Sequence, residues 1–141
     1  MKTKQLSVFL ENKSGRLAEV TRVLRQSAIN LSAMSITDNA DFGILRCIVS
    51  DPQRAASVLK EAHFAVKTTD VIGLMCPNES GALSEVLDKL AAEGIFIEYL
   101  YSFNQGEVAK IVLRPSDLDA CEQVLERCNV QMLTAEQMYS L

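Results

Sequence analysis

One loop-to-helix junction occurs twice in this chain of 141 residues. The first copy reads "ENKSGRLAEV" over residues 11–20, and the second reads "CPNESGALSEV" over residues 76–86. Asparagine, serine, glycine, leucine and valine follow in the same order, and each lies 66 positions from its counterpart, as Gly15 does from Gly81. A constant offset is typical of an internal repeat, so the sequence predicts two similar folded units.

The spacing of apolar residues gives both halves the same order of elements. Alternation of apolar and polar residues predicts strands, and apolar residues at every third or fourth position predict helices. In the first half the order is strand, helix, strand, strand, helix, strand, at 6–10, 16–27, 29–37, 44–49, 51–62 and 64–68. In the second half the same order occurs at 71–76, 83–91, 95–103, 107–113, 114–128 and 130–133, with a helical turn in the tail.

This order predicts an α+β fold made of two ferredoxin-like βαββαβ units, each an antiparallel sheet with its helices on one face. Thr68-Thr69-Asp70 is the only seam, which places the domains at 1–70 and 71–141. Units of this size bury little core alone, so we expect them to pair side by side. Apolar residues on the sheet face without helices need cover, and a homodimer would supply it.

Strict alternation also predicts which side chains share a face in each second strand. In the first unit, we expect Met34 and Ile36 to point to the same side as Asn30. In the second unit, we expect one face to carry five large side chains: Ile95, Ile97, Tyr99, Tyr101 and Phe103.

Charge and hydropathy exclude several classes of protein. The net charge is −4, and the basic residues are scattered among acidic ones, which argues against a nucleic-acid partner. No apolar run approaches the roughly 20 residues that span a membrane. The N-terminal "MKTKQLSVFLEN" has too short an apolar core for a signal peptide. We therefore expect a cytoplasmic protein with no membrane partner.

The sulfur and imidazole side chains do not predict a metal site or a catalytic centre. Four cysteines, with no CxxC pair, are interpreted as buried thiols in a reducing compartment: Cys47, Cys76, Cys121 and Cys128. His63 is the only histidine, and we expect it to end a helix. The sequence therefore predicts no metal ligand and no catalytic residue.

Each junction can bind an anion or simply cap a helix. A strand that ends in Asn-x-Ser-Gly and enters a helix presents free backbone N–H groups, where carboxylates and phosphates bind. Gly15 and Gly81 would let a ligand approach the backbone. Equally, Ser14 and Ser80 can be ordinary N-caps, although no capping box follows them. The residues alone leave both interpretations open.

The segments "LENKSGRLAEVTRVLRQSAINLSAMSI" and "CPNESGALSEVLDKLAAEGIFIEYLYSF" resemble the ACT domain, a small regulatory module. The resemblance covers nearly the whole chain, at about 6–75 and 71–134. It implies a protein without enzyme activity that binds a free amino acid and no other cofactor. It also implies regulation of a metabolic enzyme or of the protein's own assembly.

In this family the amino acid lies between two ACT domains, against the first loop of one and the second strand of its neighbour. The resemblance therefore assigns ligand-binding roles to both loops and both second strands. In the first unit the implied residues are Asn12, Lys13, Ser14, Gly15, Arg16, Leu17, Asn30 and Leu31. In the second unit they are Asn78, Glu79, Ser80, Gly81, Ala82, Leu83, Phe96 and Ile97.

The two implied sites are not equivalent, because Phe96 stands where the first unit has Asn30. If sites straddle the two units, the Asn78 loop faces Asn30 and the Asn12 loop faces Phe96. The identity of the amino acid stays open. An apolar rim fits a branched side chain, whereas Phe96 can stack on an aromatic or imidazole ring.

Two other functions occur on the same βαββαβ plan. An acylphosphatase-type hydrolase needs an arginine in the first loop that grips an anion, and Arg16 is the candidate. An RNA-binding sheet needs exposed aromatic side chains with basic neighbours. Tyr99 and Tyr101 fit that pattern, but Glu98 and the acidic balance oppose it.

Overall fold

The computed structural model of the protein describes residues 2–11, 13–38 and 41–140. They form two compact units. The N-terminal unit contains Lys4–Thr69 and the chain from residue 138, and the C-terminal unit contains residues 2–3 and Asp70–Gln137. Each unit therefore includes a short segment from the opposite end of the chain.

The N-terminal unit is one βαββαβ repeat. Its elements are β1 (Lys2–Glu11), α1 (Arg16–Gln26), β2 (Leu31–Asp38), β3 (Phe42–Val49), α2 (Pro52–Glu61) and the first part of β4 (Ala65–Pro77). The strand order is β2-β3-β1-β4. Both helices pack on one face, where β1 contributes Leu6 and Val8, α1 contributes Leu24 and α2 contributes Leu59 to a fully buried core.

The C-terminal unit repeats this arrangement. It contains the rest of β4, α3 (Ala82–Ala92), β5 (Ile97–Gln105), β6 (Val108–Pro115), α4 (Leu118–Arg127) and β7 (Gln131–Leu133). The strand order is β5-β6-β4-β7, and all of these pairs are antiparallel. Its core joins Leu74, Ile111 and Leu113 of the sheet to Leu90 and Leu125 of the helices. The predicted pair of βαββαβ units is confirmed.

The predicted seam at Thr68-Thr69-Asp70 lies inside a strand. The segments predicted as separate strands, 64–68 and 71–76, are parts of the single strand β4. Polar residues interrupt the apolar pattern there, but neither glycine nor proline breaks the backbone, and threonine favours extended conformations. The chain therefore enters the C-terminal unit without a loop.

Strands β2 and β5 both contain a register shift, between Leu31 and Ala33 and between Ile97 and Tyr99. One extra residue in a strand turns every later side chain to the other face. The strict alternation predicted for these strands is therefore wrong.

In β5, the residues predicted to share one face therefore lie on both faces of the sheet. Ile97 and Leu100 pack against the core, whereas Tyr101 pairs with Val112 and points to the opposite side from Leu100. In β2 the shift places Met34 opposite Cys47, a residue of the helix-covered core, and so on the helix face of the sheet.

The chain itself buries part of the sheet face that lacks helices. Ile48 of β3 and Val112 of β6 alternate with core residues and are 0% exposed. The short helix α5 (Ala135–Tyr139) belongs with the N-terminal unit at its end, where the Tyr139 hydroxyl accepts a hydrogen bond from the Lys4 amide at 2.9 Å. These two residues therefore need no cover from a second copy of the chain, and the homodimer itself stays a prediction.

The other helix ends agree with the sequence-based predictions, except at Pro115. Asp51 caps α2 by accepting from the Arg54 amide at 3.1 Å, and Asp117 caps α4 in the same way. Pro115 ends β6 instead of opening the helix. His63 follows α2 with a positive φ of 69°, as expected for a residue that ends a helix.

Among the helices of the described segments, none has the length and apolar character that a membrane span requires.

Candidate functional site

Glycine, and not serine, occupies the N-cap position of both repeated junctions. Gly15 precedes α1 with φ 91°, and Gly81 precedes α3 with φ 87°. Ser14 and Ser80 lie one residue earlier and are exposed. The interpretation of these serines as N-caps is therefore wrong, and the first turn of each helix starts from a residue without a capping side chain.

The backbone conformation alone explains the two glycines. A Cβ atom added to Gly15 or Gly81 would meet nothing within 4 Å, so space does not exclude a side chain. The positive φ disfavours a side chain, because an L-residue in the left-handed region costs about 1–2 kcal/mol.

We therefore expect Gly81→Ala to lower the free energy of unfolding by about 1–2 kcal/mol. Gly81→Asn should cost less, because asparagine tolerates positive φ. Urea denaturation of the two variants checks this. Equal stability of Gly81→Ala and the wild type would contradict the left-handed conformation.

The first junction borders a small cavity of about 230 Å³ in the N-terminal unit. It lies on the side of the loop that faces strands β2 and β3, because Ile36 and Gly43 form its wall. Three residues assigned by resemblance line it: Lys13, Arg16 and Leu17. Leu17 and Ile36 are 39% and 47% exposed, so apolar surface is open to solvent beside the loop. Asn12 lies outside the described residues.

The Arg16 guanidinium is held inside the N-terminal unit. Its Nη1 donates to Glu19 Oε2 at 2.7 Å, and its Cζ lies 4.3 Å from the centroid of the Phe64 ring. Only 16% of the side chain is exposed. An ion pair, a cation–π contact and burial together fix this side chain against the core.

The second junction borders a larger cavity of about 540 Å³ in the C-terminal unit. Four residues assigned by resemblance line it: Glu79, Ser80, Gly81 and Ala82. The other walls come from the ends of β4 and β6, the outer side of α3, and the segment between α4 and β7. These walls include Met75, Cys76, Pro77, Glu85, Val86, Lys89, Glu107, Val108, Cys128, Asn129, Val130 and Gln131. A volume of this size is typical of small-molecule sites.

Asn78 has a structural role in its own unit. Its Nδ2 donates to the Gly106 carbonyl at 3.0 Å, and its amide donates to the Glu107 carbonyl at 2.8 Å. The side chain therefore ties the junction loop to the β5–β6 turn. Asn78 is exposed, and Leu83 is half-buried against the core of the C-terminal unit.

The second-strand residues lie at the opposite end of the first helix of each unit. Asn30 follows α1 and lines a separate cavity of about 390 Å³. Its carbonyl accepts from the Ser50 amide, and its own amide donates to the Ser50 hydroxyl, both at 3.0 Å. Leu31 packs against the core. An 11-residue helix is roughly 16 Å long, so Asn30 is far from the loop of its own unit. Phe96 and Ile97 follow α3 in the same way, and Phe96 is 67% exposed.

Comparison with known families identifies the repeated architecture. The profile of the ACT domain pair matches residues 1–141. The chain belongs to this family. The resemblance of the two halves to ACT domains is thereby confirmed, and the two βαββαβ units are ACT units.

Solved structures share the fold of this ACT domain pair. Protein BT0572 from Bacteroides thetaiotaomicron is 59% identical, with a TM-score of 0.98 over 100% of this chain and 98% of that one. The ligand-free regulatory subunit of aspartate kinase from Thermus thermophilus is 12% identical, with a TM-score of 0.64 over 88% of this chain and 90% of that one. E. coli aspartokinase III, in complex with lysine and aspartate, is 18% identical, with a TM-score of 0.54 over 89% of this chain and 30% of that one. No curated protein sequence matches the chain significantly.

Sequence reasoning missed most of the cavity in the second ACT unit. Glu85, Lys89 and Glu107 line it, and so do Cys128 and Val130 from the segment before β7. Glu107, Cys128 and Val130 lie outside the segment that resembles the family motif, whereas Glu85 and Lys89 lie inside it but beyond the loop positions to which the resemblance assigns a role. A position-by-position comparison of the two repeats offers a partial signal, because Lys89 and Val130 differ in charge or size from Val23 and Phe64, 66 positions earlier, whereas Glu85 is identical to Glu19.

Ionisable groups in the described segments do not form a metal site, since no three His, Cys, Asp or Glu side chains cluster there. The cysteines are unpaired, and three are buried. Burial raises the pKa of the Cys47 thiol to about 12 and that of the Cys121 thiol to about 11. Acidic residues near Cys121 also raise the pKa of that thiol. Burial also raises the pKa of Cys76. Cys128 is the half-buried exception and lines the larger cavity.

Proposed function

We propose that this ACT domain pair is a sensor that binds a free amino acid beside its junction loops and regulates a partner enzyme or its own assembly. The observation that carries the proposal is a cavity beside each of the two repeated junctions, one of about 230 Å³ and one of about 540 Å³. Membership of the ACT family supports the same class of ligand.

The junctions suit the charged ends of an amino acid. The N-terminus of a helix carries unsatisfied N–H groups and a partial positive charge, which favour a carboxylate. Both α1 and α3 begin at an exposed glycine, so a ligand can approach their first turns. Lys13 at the first junction adds a cation and Glu79 at the second adds an anion, so the two sites differ in charge.

Second-strand residues complete the proposed site. Asn30 with Leu31, and Phe96 with Ile97, lie too far from the loop of their own unit to share a ligand with it. In the proposal they contact a ligand that is held by the loop of an ACT unit in a second copy of the chain. Asn30 offers an amide for a polar ligand group, and the exposed Phe96 ring offers an apolar wall.

A thermal-shift screen of the full chain against the twenty amino acids tests the function. An amino acid that binds only the folded state at one hundred times its Kd should stabilise the protein by about 2.7 kcal/mol. We expect a rise in melting temperature with a small subset of the twenty. No rise with any amino acid at millimolar concentration would contradict the proposal.

We further propose a homodimer formed through the helix-side edge of β2. β2 is the edge strand of the N-terminal unit, and Met34 and Ile36 are 49% and 47% exposed there, beside Leu17 on α1. Such apolar side chains on an edge strand are typical of a partner surface. Sedimentation equilibrium that gave only the 15.5 kDa monomer would contradict this assignment.

The acylphosphatase alternative loses its candidate residue. That function requires Arg16 to present its guanidinium to an anionic substrate, but Glu19 and the Phe64 ring already hold the guanidinium.

The unpaired cysteines agree with a reducing compartment, and we propose the cytoplasm as the site of action.

A further inference from the structure

The two ACT units differ in the residues that surround Arg16 and its counterpart. In the N-terminal unit, the Arg16 side chain is 16% exposed, pairs with Glu19 and covers the Phe64 ring. The residues 66 positions later are Ala82, Glu85 and Val130. The arginine and its aromatic partner are thus replaced by two small side chains, whereas the glutamate is kept.

The larger cavity lies at this place in the C-terminal unit. Ala82, Glu85 and Val130 all line it, as does Val86, the counterpart of the core residue Val20. The volume that Arg16 and Phe64 fill in one repeat is therefore open in the other. The cavity thus lies where two side chains of the first repeat, Arg16 and Phe64, have smaller counterparts in the second.

Glu85 is left without the cation that its counterpart has. Glu19 binds the Arg16 guanidinium at 2.7 Å, but the Glu85 carboxylate makes no ion pair or hydrogen bond within the part of the chain that the structure describes. Glu79 and Glu107 add two further carboxylates to the cavity wall. Among the described lining residues, Lys89 supplies the one positive charge, a turn along α3 from Glu85.

We propose that this cavity binds a free amino acid with a cationic side chain, whose guanidinium or ammonium group lies beside Glu85 as the Arg16 guanidinium lies beside Glu19. The α-carboxylate of the ligand accepts from the free backbone N–H groups in the first turn of α3, as in the proposed function. The inference rests on the proposed amino-acid sensing and adds the ligand class and the unit that binds it. In the N-terminal unit, Arg16 occupies the equivalent place, so we expect this kind of site in the C-terminal unit.

Calorimetric titration with L-arginine, L-lysine and L-citrulline tests the charge requirement. Citrulline has nearly the shape of arginine but no charge, so we expect it to bind at least about tenfold more weakly than arginine, the cost of one charge-assisted hydrogen bond. Glu85→Gln should weaken arginine binding by a similar factor. Asp88→Asn, which removes a negative charge from the same helix outside the cavity, should leave the affinity unchanged.

Cys128 gives a second readout that locates the ligand. Cys47 and Cys121 are 0% exposed and Cys76 is 8% exposed, so iodoacetamide should alkylate Cys128 first. Saturating arginine should slow this alkylation in proportion to occupancy. The double variant Ala82→Arg/Val130→Phe rebuilds the N-terminal arrangement and should lose arginine binding by about a hundredfold or more, as a filled cavity has no room for the ligand. Glu85→Gln keeps the proposal falsifiable if that double variant does not fold.

The outcomes separate this inference from the proposed function. Arginine or lysine binding that protects Cys128 and requires Glu85 supports the inference. Binding of a neutral amino acid alone, or arginine binding that leaves Cys128 alkylation unchanged, overturns the inference and keeps the proposed function. No binding of any of the twenty amino acids overturns both.

Discussion

Met138→Ala is expected to lower the free energy of unfolding by about 2–5 kcal/mol, the usual cost of truncating a buried methionine. Met138 is 0% exposed and stands three residues from the end of the chain, yet it belongs to the N-terminal unit. Hydrogen exchange should therefore show reduced protection in β1, β2 and β3. Tyr139, whose hydroxyl accepts from the Lys4 amide, connects the same helix to β1.

Met132→Ala is the matched control for this prediction. It makes the same change six residues earlier, in β7 of the C-terminal unit, where Met132 is 9% exposed and part of the second core. Its loss of protection should appear in β4, β6 and α4. If Met138→Ala instead affected only these C-terminal elements, the assignment of the final helix to the N-terminal unit would be wrong.

Leu90→Ala is expected to cost about 2–5 kcal/mol as well, because Leu90 is 0% exposed at the centre of the second core. Leu24 is its counterpart in the first core and is 1% exposed, so Leu24→Ala should cost a similar amount. Guanidinium denaturation of both variants measures the two costs. Ser84→Ala, at an exposed position of α3, serves as the control and should change stability by less than about 0.5 kcal/mol.

A cost below about 1 kcal/mol for Leu90→Ala, with a normal cost for Leu24→Ala, would contradict the equivalence of the two cores. The equivalence matters for function, because the comparison of Arg16 with Ala82 assumes that both repeats have the same backbone. Similar costs would support that assumption independently of any ligand.

Most of the fold follows from the apolar pattern, and the errors have local causes. The pattern predicted both βαββαβ units because each helix and strand contributes its own stripe of core residues. It missed the continuity of β4, since Lys67, Thr68 and Thr69 are polar, although the two threonines favour an extended backbone. It also missed the shifts after Leu31 and Ile97, because a bulge leaves no distinct mark in the order of residue types.

The candidate site was predictable only in part. The repeated Asn-x-Ser-Gly motif located both junctions, and cavities occur beside both. The motif did not reveal that Arg16 is buried over Phe64, because that contact joins residues 48 positions apart in the sequence. Contacts between distant residues decide which junction is open, and only the folded structure brings those residues together.

The central claim is that the junction loops of this ACT domain pair hold a free amino acid. An NMR titration of the ¹⁵N-labelled chain with the amino acids that raise its melting temperature tests it most directly. We expect saturable shifts of the amides of Lys13–Leu17 or Glu79–Leu83, at the two junctions. Saturable binding that left both sets of amides unshifted would contradict the account.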